Sequence, residues 1–219
     1  VLKEMDRLDE SIRAYQQALE INPKYAPAYS NLGNTLDAKG ELDQSIHAYQ
    51  QALKINPQYA EAHKNLSLSY LKLGNFKQGW EEYQWRWKCD EFAAENRKDF
   101  PQPMWDGSSL DGKSILIWQE QGTGDCIMFA SLLVELQDHA QKIFVETEYR
   151  LLPLLERSFP TIHFHTAQIP STPQLLSTTI DFQSPIASLP RWFLTNEEDF
   201  PKRHSYLKVS DHVTQKCRN

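Results

Sequence analysis

The chain has 219 residues, of which 40% are hydrophobic and 24% are charged, and its formal net charge is −6 at pH 7. This composition is typical of a soluble globular protein and excludes a disordered or fibrous one. No basic patch stands out, which argues against a nucleic-acid partner held through its phosphates. The apolar runs, such as residues 115–118, are too short to cross a bilayer, so we expect no membrane span.

The three cysteines, Cys89, Cys126 and Cys217, are far apart and show no CxxC spacing. An odd and scattered set of cysteines predicts neither a disulfide framework nor a zinc site. The first residues also lack the pattern of a signal peptide. We therefore expect a protein of a reducing compartment, the cytoplasm, with no metal and no cofactor.

The first half of the chain repeats itself every 34 residues. Residues 11–26 align with residues 45–60, and 13 of the 16 aligned positions are identical. In the second repeat, apolar residues recur at i, i+3 and i+7, which predicts one face of a helix. These residues are Ile46, Tyr49 and Leu53. Gly40 separates two such helices and Pro57 ends the second. The period predicts a solenoid in which each unit buries its apolar stripe against its neighbours.

This unit resembles the tetratricopeptide (TPR) repeat, whose signature has small, aromatic, Ala and Pro residues at fixed offsets. The second repeat matches the signature at nine positions: Tyr29, Leu32, Gly33, Leu36, Gly40, Ser45, Tyr49, Ala52 and Pro57. The resemblance covers roughly the first 90 residues and implies about two and a half repeats. It also implies that the concave surface of the repeats binds a protein or peptide.

Two departures from the repeat pattern affect the expected architecture. Val1 aligns with Thr35, so most of the first helix of the first repeat is missing and we expect the chain to be part of a longer protein. In the third repeat Arg86 and Trp87 replace an Ala and a Leu, and no Pro follows. We expect the helix at about residues 77–89 to be a cap that packs on another domain.

Asparagines mark the expected peptide-binding surface. Asn31 and Asn65 occupy equivalent positions, and they resemble the asparagine ladder with which TPR proteins of the O-linked N-acetylglucosamine transferase type hold a peptide backbone. An amide suits this task because it donates and accepts hydrogen bonds at once. We assign Asn34 to the same set; the alternative is that these residues are simply solvated. A clamp for acidic C-termini is disfavoured, because Ser30 and Glu61 stand where cations are expected.

The second half of the chain alternates short apolar segments with helical ones. Four strands are predicted, at residues 114–120, 142–147, 162–166 and 180–183. Three helices are predicted, at residues 126–140, at residues 150–159 and from the pair Ser184-Pro185 onwards. Repeated βα units predict a parallel, doubly wound, Rossmann-like sheet whose ligand sites lie at the carboxyl ends of the strands.

The expected fold class is therefore a helical TPR solenoid followed by a Rossmann-like α/β lobe. We place the repeats at residues 1–90 and the lobe at residues 114–219. Between them, residues 91–113 are polar and rich in turn-forming residues, which is typical of a linker.

Three ordered motifs carry a second resemblance: residues 80–87 (WEEYQWRW), 103–107 (PMWDG) and 118–125 (WQEQGTGD). They resemble bacterial TPR proteins fused to a domain similar to glycosyltransferase family 9, the ADP-heptose:lipopolysaccharide heptosyltransferases. That family has a two-lobed (GT-B) fold, in which one half holds the acceptor and the other binds the nucleotide-sugar. Only the acceptor half is expected here, because the chain ends within about 40 residues of the last predicted strand. The resemblance implies a sugar acceptor as a further partner, but no complete active site in this chain.

A glycine loop follows the first predicted strand. Gly122, Thr123 and Gly124 allow backbone amides to approach an anion at the start of a helix. Ile127 replaces the third glycine of the GxGxxG pattern, so a nicotinamide dinucleotide is disfavoured. The resemblance to the heptosyltransferases makes Asp125 the candidate catalytic base. A helix N-terminus stabilises a charged carboxylate and weakens it as a base, and the alternative is that Asp125 caps the following helix.

Other candidate groups have structural explanations. His163 and His165 share one face of a predicted strand, but no third metal ligand is evident. Four tryptophans have a size and shape that suit stacking on a sugar, but we expect them to form an apolar joint between the repeats and the lobe: Trp80, Trp85, Trp87 and Trp105.

Three functions follow from these patterns. The first is a peptide-binding module attached to half of a glycosyltransferase-like domain. The second is sugar transfer from a nucleotide-sugar by a longer parent protein. The third is a degenerate lobe that serves only as a structural cap on the repeats.

Overall fold

The computed structural model describes residues 2–96, 98, 100–168, 171–177 and 179–210. They divide into two compact units, one formed by Val1–Arg97 with Leu194–Asp199 and one by Lys98–Phe193 with Phe200–Asn219. Cys217 lies outside the described residues, as does the rest of the segment 211–219 assigned to the lobe. Within the described ranges, no helix combines the length and the apolar character needed to cross a membrane.

The first unit is built from helical hairpins. Its helices are α1 (Leu2–Ile21), α2 (Ala26–Lys39), α3 (Leu42–Ile55), α4 (Ala60–Lys72), α5 (Phe76–Tyr83) and α6 (Asp90–Asn96). The pairs α2–α3 and α4–α5 are the hairpins of successive repeats. Gly40 and Gly74 follow their first helices with φ of 87° and 77°, a left-handed conformation that glycine adopts without steric cost.

The helix α1 runs through the position at which the 34-residue register would place the turn of the first repeat. It is one continuous helix of 20 residues. In the 34-residue register Asp6 takes the place of Gly40 and Gly74. A glycine in the left-handed conformation is a common helix terminator, and without one the helical backbone continues.

Small residues allow the two helices of a hairpin to approach closely. A Cβ atom added to Gly33 would lie 2.6 Å from the ring of Tyr49, and one added to Gly79 would lie 2.6 Å from the side chain of Leu71. Ala52 is fully buried in the same way, at 0% exposure. These are positions at which the repeat signature calls for a small residue, so the packing explains the pattern.

The predicted cap helix is shorter than expected. The α-helix α5 ends at Tyr83, and a 3₁₀ turn, Gln84–Lys88, follows it. Arg86 stands in this turn where the second repeat has Ala52, and only 1% of it is exposed. Its guanidinium lies 4.5 Å from the ring centre of Tyr83 and 5.0 Å from that of Trp87. A buried cation stabilised by aromatic faces therefore replaces the small residue of the regular repeat.

The second unit contains a four-stranded, entirely parallel sheet. Its strands are β1 (Ser114–Trp118), β2 (Lys142–Thr147), β3 (His163–Thr166) and β4 (Phe182–Pro185), in the order β3-β2-β1-β4. Its helices are α7 (Thr123–Ala130), α8 (Leu133–Gln137), α9 (Leu152–Ser158) and α10 (Pro190–Phe193). Every residue of the central strand β1 is buried, as the continuous apolar run predicts.

Two predicted helix boundaries in this unit are wrong. The single helix expected at residues 126–140 is two helices, α7 and α8, and the first begins three residues earlier, at Thr123. Ser184 and Pro185 do not start a helix, because they pair with Ile117 and Trp118 and form the end of β4. Pairing with a buried central strand satisfies the backbone of this segment, which a local capping pattern cannot reveal.

Part of the segment assigned to the linker contributes to the second unit. The backbone N–H of Trp105 donates to the carbonyl of Gln183 at 2.8 Å, and the N–H of Gln183 donates to the carbonyl of Pro103 at 2.9 Å. Met104 and Gln183 form a parallel bridge. These bonds extend the sheet beyond β4.

Candidate functional site

The structure brings two of the three predicted asparagines, Asn34 on α2 and Asn65 on α4, into contact. The Asn65 Nδ2 donates to the Asn34 Oδ1 at 2.9 Å. The same oxygen accepts a hydrogen bond of 2.6 Å from the Tyr49 hydroxyl. Asn31 lies three residues before Asn34, so it shares the same helix face, and its side chain is exposed.

These hydrogen bonds fix the orientation of two amides. Both donors point at the oxygen of Asn34, so its Nδ2 is left without a partner in the part of the chain that the structure describes. The Oδ1 of Asn65 is equally without a partner among those residues. The pair therefore offers one donor group and one acceptor, which is the complement of a peptide group.

Tyr49 supports this arrangement from beneath. It is 2% exposed, and its position is the aromatic one of the repeat signature. Burial is the main cause that raises the pKa of Tyr49 to about 12, so the hydroxyl stays protonated and remains a donor at neutral pH. The repeat pattern predicted the ring but not the hydroxyl's role, because aromatic residues with and without a hydroxyl fit the signature equally.

A charged cavity begins one helical turn from Asn65. It has a volume of about 520 Å³ and is lined by Glu61, Lys64, Cys89, Asp90, Glu91 and Phe92. The described residues that line it include three carboxylates and one ammonium group, so the sum of their charges is negative. Burial raises the pKa of the Cys89 thiol, which keeps this group neutral.

The four tryptophans expected at a joint contact aromatic residues of their own unit. Trp85 stacks on His63 with ring centres 3.7 Å apart and planes inclined by 8°. Trp80 also lies 5.8 Å from Tyr83, Trp87 lies 5.2 Å from Phe92, and Trp105 lies 5.6 Å from Trp192, measured between ring centres.

The glycine loop lies at the carboxyl end of β1. Gly122 is the N-cap of α7, and Thr123, Gly124 and Asp125 form its first turn. The alternative that Asp125 caps this helix is therefore wrong: it stands in the third helical position, half-buried, and the cap has no side-chain hydrogen bond. The first-turn amides of α7 face the space beyond the strand.

The residues just before this loop hold the sheet together. The Gln119 Oε1 accepts hydrogen bonds from the Thr147 hydroxyl at 2.6 Å and from the Glu148 N–H at 3.1 Å. Glu120 is 3% exposed and accepts a bond of 3.1 Å from the Ala187 N–H. This part of the third motif is thus explained by contacts between β1 and the segments after β2 and β4.

Thr123 also has a local partner. Its hydroxyl donates to Glu148, whose other oxygen lies 3.1 Å from Arg150. The hydrogen bond from Thr123 is the main cause that lowers the pKa of the Glu148 carboxyl. Burial raises the pKa of the neighbouring Cys126, and the charges of Glu148 and Asp125 contribute to the same shift.

The two histidines of β3 lie beside Phe144, with ring centres 5.2 Å away for His163 and 6.3 Å for His165. Burial, then the charge of His163, lowers the pKa of His165. Across the described ranges, no cluster of three or more His, Cys, Asp or Glu side chains is arranged to hold a metal ion.

Comparison with known proteins identifies the repeats. The family model described as "TPR repeat" matches residues 1–38 and 34–74. Protein FlbA of Caulobacter vibrioides (strain ATCC 19089 / CIP 103742 / CB 15) is 30% identical over 124 residues, which cover 51% of this chain and 21% of FlbA. The chain thus spans about a fifth of the length of that relative.

Solved structures show similar segments. A crystal structure of MamA is 30% identical, with a TM-score of 0.37, over 42% of this chain and 53% of that one. YrrB, described as a TPR protein with an unusual peptide-binding site, is 25% identical, with a TM-score of 0.32, over 33% of this chain and 37% of that one. The family match to residues 1–74 and the helical hairpins there agree. The first unit is built from TPR repeats and is a protein-interaction module.

Proposed function

We propose that the TPR unit binds an extended segment of a partner protein along the face formed by α2 and α4. The observation that carries this proposal is the hydrogen-bonded pair of Asn34 and Asn65, held by the buried Tyr49. An amide pair with one free donor group and one free acceptor recognises the backbone of a peptide rather than its side chains. Because the two amides are oriented before binding, they lose little side-chain conformational entropy when a peptide docks.

The charges next to the amide pair favour a basic partner. Glu61 precedes Asn65 by one turn on α4, and Asp90 and Glu91 line the same cavity, whereas Lys64 is the one cation among the described residues that line it. A peptide with a Lys or Arg near the backbone contact would gain electrostatic attraction there. We therefore propose a basic peptide, bound less tightly as salt concentration rises.

The double substitution Asn31→Ala and Asn65→Ala tests this proposal. It removes two of the three amides but leaves Asn34 as the acceptor of Tyr49, so the core keeps its hydrogen bond. With about 1 kcal/mol for each lost hydrogen bond, we expect peptide affinity to fall roughly 30-fold. Binders would be selected from a library of random 12-residue peptides on the unaltered chain and measured by fluorescence anisotropy.

The matched control is Gln17→Ala, which removes an exposed amide from α1, a helix that does not form the proposed binding face. It should leave the affinity unchanged. Equal binding by the double variant and the unaltered chain would show that the amides do not hold the peptide. Failure to select any binder would overturn the proposal that the TPR unit binds a peptide.

We propose, as a second function, that the α/β unit is the acceptor-side half of a glycosyltransferase-like domain, with Asp125 as its base. The supporting observation is the strand order β3-β2-β1-β4, which places the Gly122 loop beside the point where the order reverses. Doubly wound sheets bind their ligands at this point. The proposed partner is a sugar acceptor, and the donor half is expected in a longer protein.

The test uses the complete parent protein and a panel of ADP-, UDP- and GDP-sugars. We expect calorimetry to show binding of one of them, and Asp125→Asn to lower the transfer rate at least 100-fold, the lower range for loss of a general base. Asp138→Asn, an exposed aspartate after α8, is the control. If no nucleotide-sugar binds, the proposed glycosyltransferase function is overturned.

A further inference from the structure

A second cavity lies in the α/β unit, at the end of the strands opposite to the Gly122 loop. It has a volume of about 300 Å³ and is lined by Trp105, Gly107, Ser108, Ser109, Leu110, Asp111, His139, Trp192 and Phe193. The segment 107–111 precedes β1 and His139 precedes β2, which places the cavity at the amino ends of these strands. Neither proposed function uses it.

Aromatic rings with fixed positions form one side of this cavity. The indole N–H of Trp105 donates to the carbonyl of Ser108 at 2.9 Å. Its ring packs against Trp192 at 5.6 Å and against Phe193 at 6.1 Å, and Phe193 lies 5.7 Å from the His139 ring. Trp192 and Phe193 are half-buried, so part of each ring is accessible. The surface is therefore apolar and organised before any ligand arrives.

The loop before β1 is pressed against this aromatic side. Gly107 has a φ of 88°, and a Cβ atom there would lie 2.5 Å from the Trp192 ring. Asp106 accepts a hydrogen bond of 3.0 Å from the Ser108 N–H, which holds the turn. The cavity thus has a defined shape on the loop side as well.

Polar groups stand at the rim. The Ser109 hydroxyl donates to Asp111 Oδ2 at 2.9 Å, which leaves Asp111 Oδ1 unpaired within the described ranges. The ring nitrogens of His139 likewise have no hydrogen-bond partner there. Among the described residues that line the cavity there is no lysine or arginine. The rim can accept and donate hydrogen bonds, and the Arg191 guanidinium lies next to it, packed on the Trp192 ring at 4.7 Å from the ring centre.

We propose that this cavity binds a neutral saccharide ring. A pyranose has apolar C–H faces that pack on aromatic rings, and its hydroxyl groups bond to a carboxylate and an imidazole. The Asp111 carboxylate on the rim, with one oxygen unpaired among the described residues, disfavours phosphorylated and acidic sugars, because like charges repel. The volume lies at the lower end of the roughly 300–1,000 Å³ typical of small-molecule pockets, which suits one ring rather than a chain.

The experiment titrates the full chain with D-glucose, D-galactose, D-mannose and N-acetyl-D-glucosamine in turn. The indole N–H signals of Trp105 and Trp192 in a ¹H–¹⁵N spectrum are the readout. We expect one sugar to shift both signals with a Kd on the order of 1 mM. Asp111→Asn should weaken binding about tenfold, because a charge-assisted hydrogen bond is lost. Asp111 is exposed, so this variant should fold.

Two further variants complete the test. Trp192→Ala removes an aromatic wall and should abolish binding, whereas Glu156→Gln, an exposed carboxylate on α9, should not affect it. No signal shift with any of the four sugars overturns the proposal. Shifts that persist unchanged in Asp111→Asn place the sugar elsewhere and overturn it equally.

Discussion

Replacement of Gln183 by Leu is expected to destabilise the α/β unit by about 4 kcal/mol, because three buried groups lose their partner. The Gln183 Oε1 accepts a hydrogen bond of 2.8 Å from the Trp118 indole. Its Nε2 donates to the carbonyls of Phe100 at 3.1 Å and Gln102 at 2.9 Å. Only 6% of Gln183 is exposed, so water cannot replace these bonds without opening the structure.

The effect would be measured by urea denaturation, with tryptophan fluorescence as the signal. The control, Gln174→Leu, makes the same change at an exposed position and should alter the free energy of unfolding by less than about 0.5 kcal/mol. If Gln183→Leu costs no more than Gln174→Leu, the buried network contributes nothing to stability. The carbonyls would then be satisfied by other groups.

This network also explains what sequence patterns miss. Periodicity identified the strands because apolar runs are local, and the parallel sheet follows from repeated βα units. The role of residues 100–105 is not local: Gln102 donates to the carbonyls of Leu175 and Ser177, more than seventy positions away. A polar, proline-containing stretch therefore reads as a linker, although its polar groups are buried in the second unit.

The asparagine site shows the same limit. The 34-residue register placed Asn31 and Asn65 on equivalent turns, because the repeat fixes which helix face each residue occupies. It could not predict that Asn34 and Asn65 bond to each other, since Leu68 occupies the position equivalent to Asn34 in the next repeat. The motif WQEQGTGD likewise combines residues with different roles. Only the structure shows that Gln119 and Glu120 form hydrogen bonds that hold the sheet, whereas the glycines that follow form a loop.

Replacement of Gly107 by Ala should destabilise the α/β unit by about 3 kcal/mol. The left-handed backbone conformation at φ 88° costs an L-residue about 1–2 kcal/mol. The added methyl group would also lie 2.5 Å from the Trp192 ring, and overpacking of this kind costs about 1–3 kcal/mol. Gly112→Ala is a matched control in the same loop, because φ there is 68° and no atom lies within 4 Å of the added Cβ.

Gly112→Ala should therefore show the conformational cost alone, about 1 kcal/mol, and the difference between the two variants measures the contact with Trp192. Both would be followed by urea denaturation together with the near-ultraviolet circular dichroism of the tryptophans. Equal destabilisation by the two variants would show that Trp192 moves aside at no cost. The aromatic side of the second cavity would then be adaptable, and a sugar bound there would owe its position to Asp111 and His139 instead.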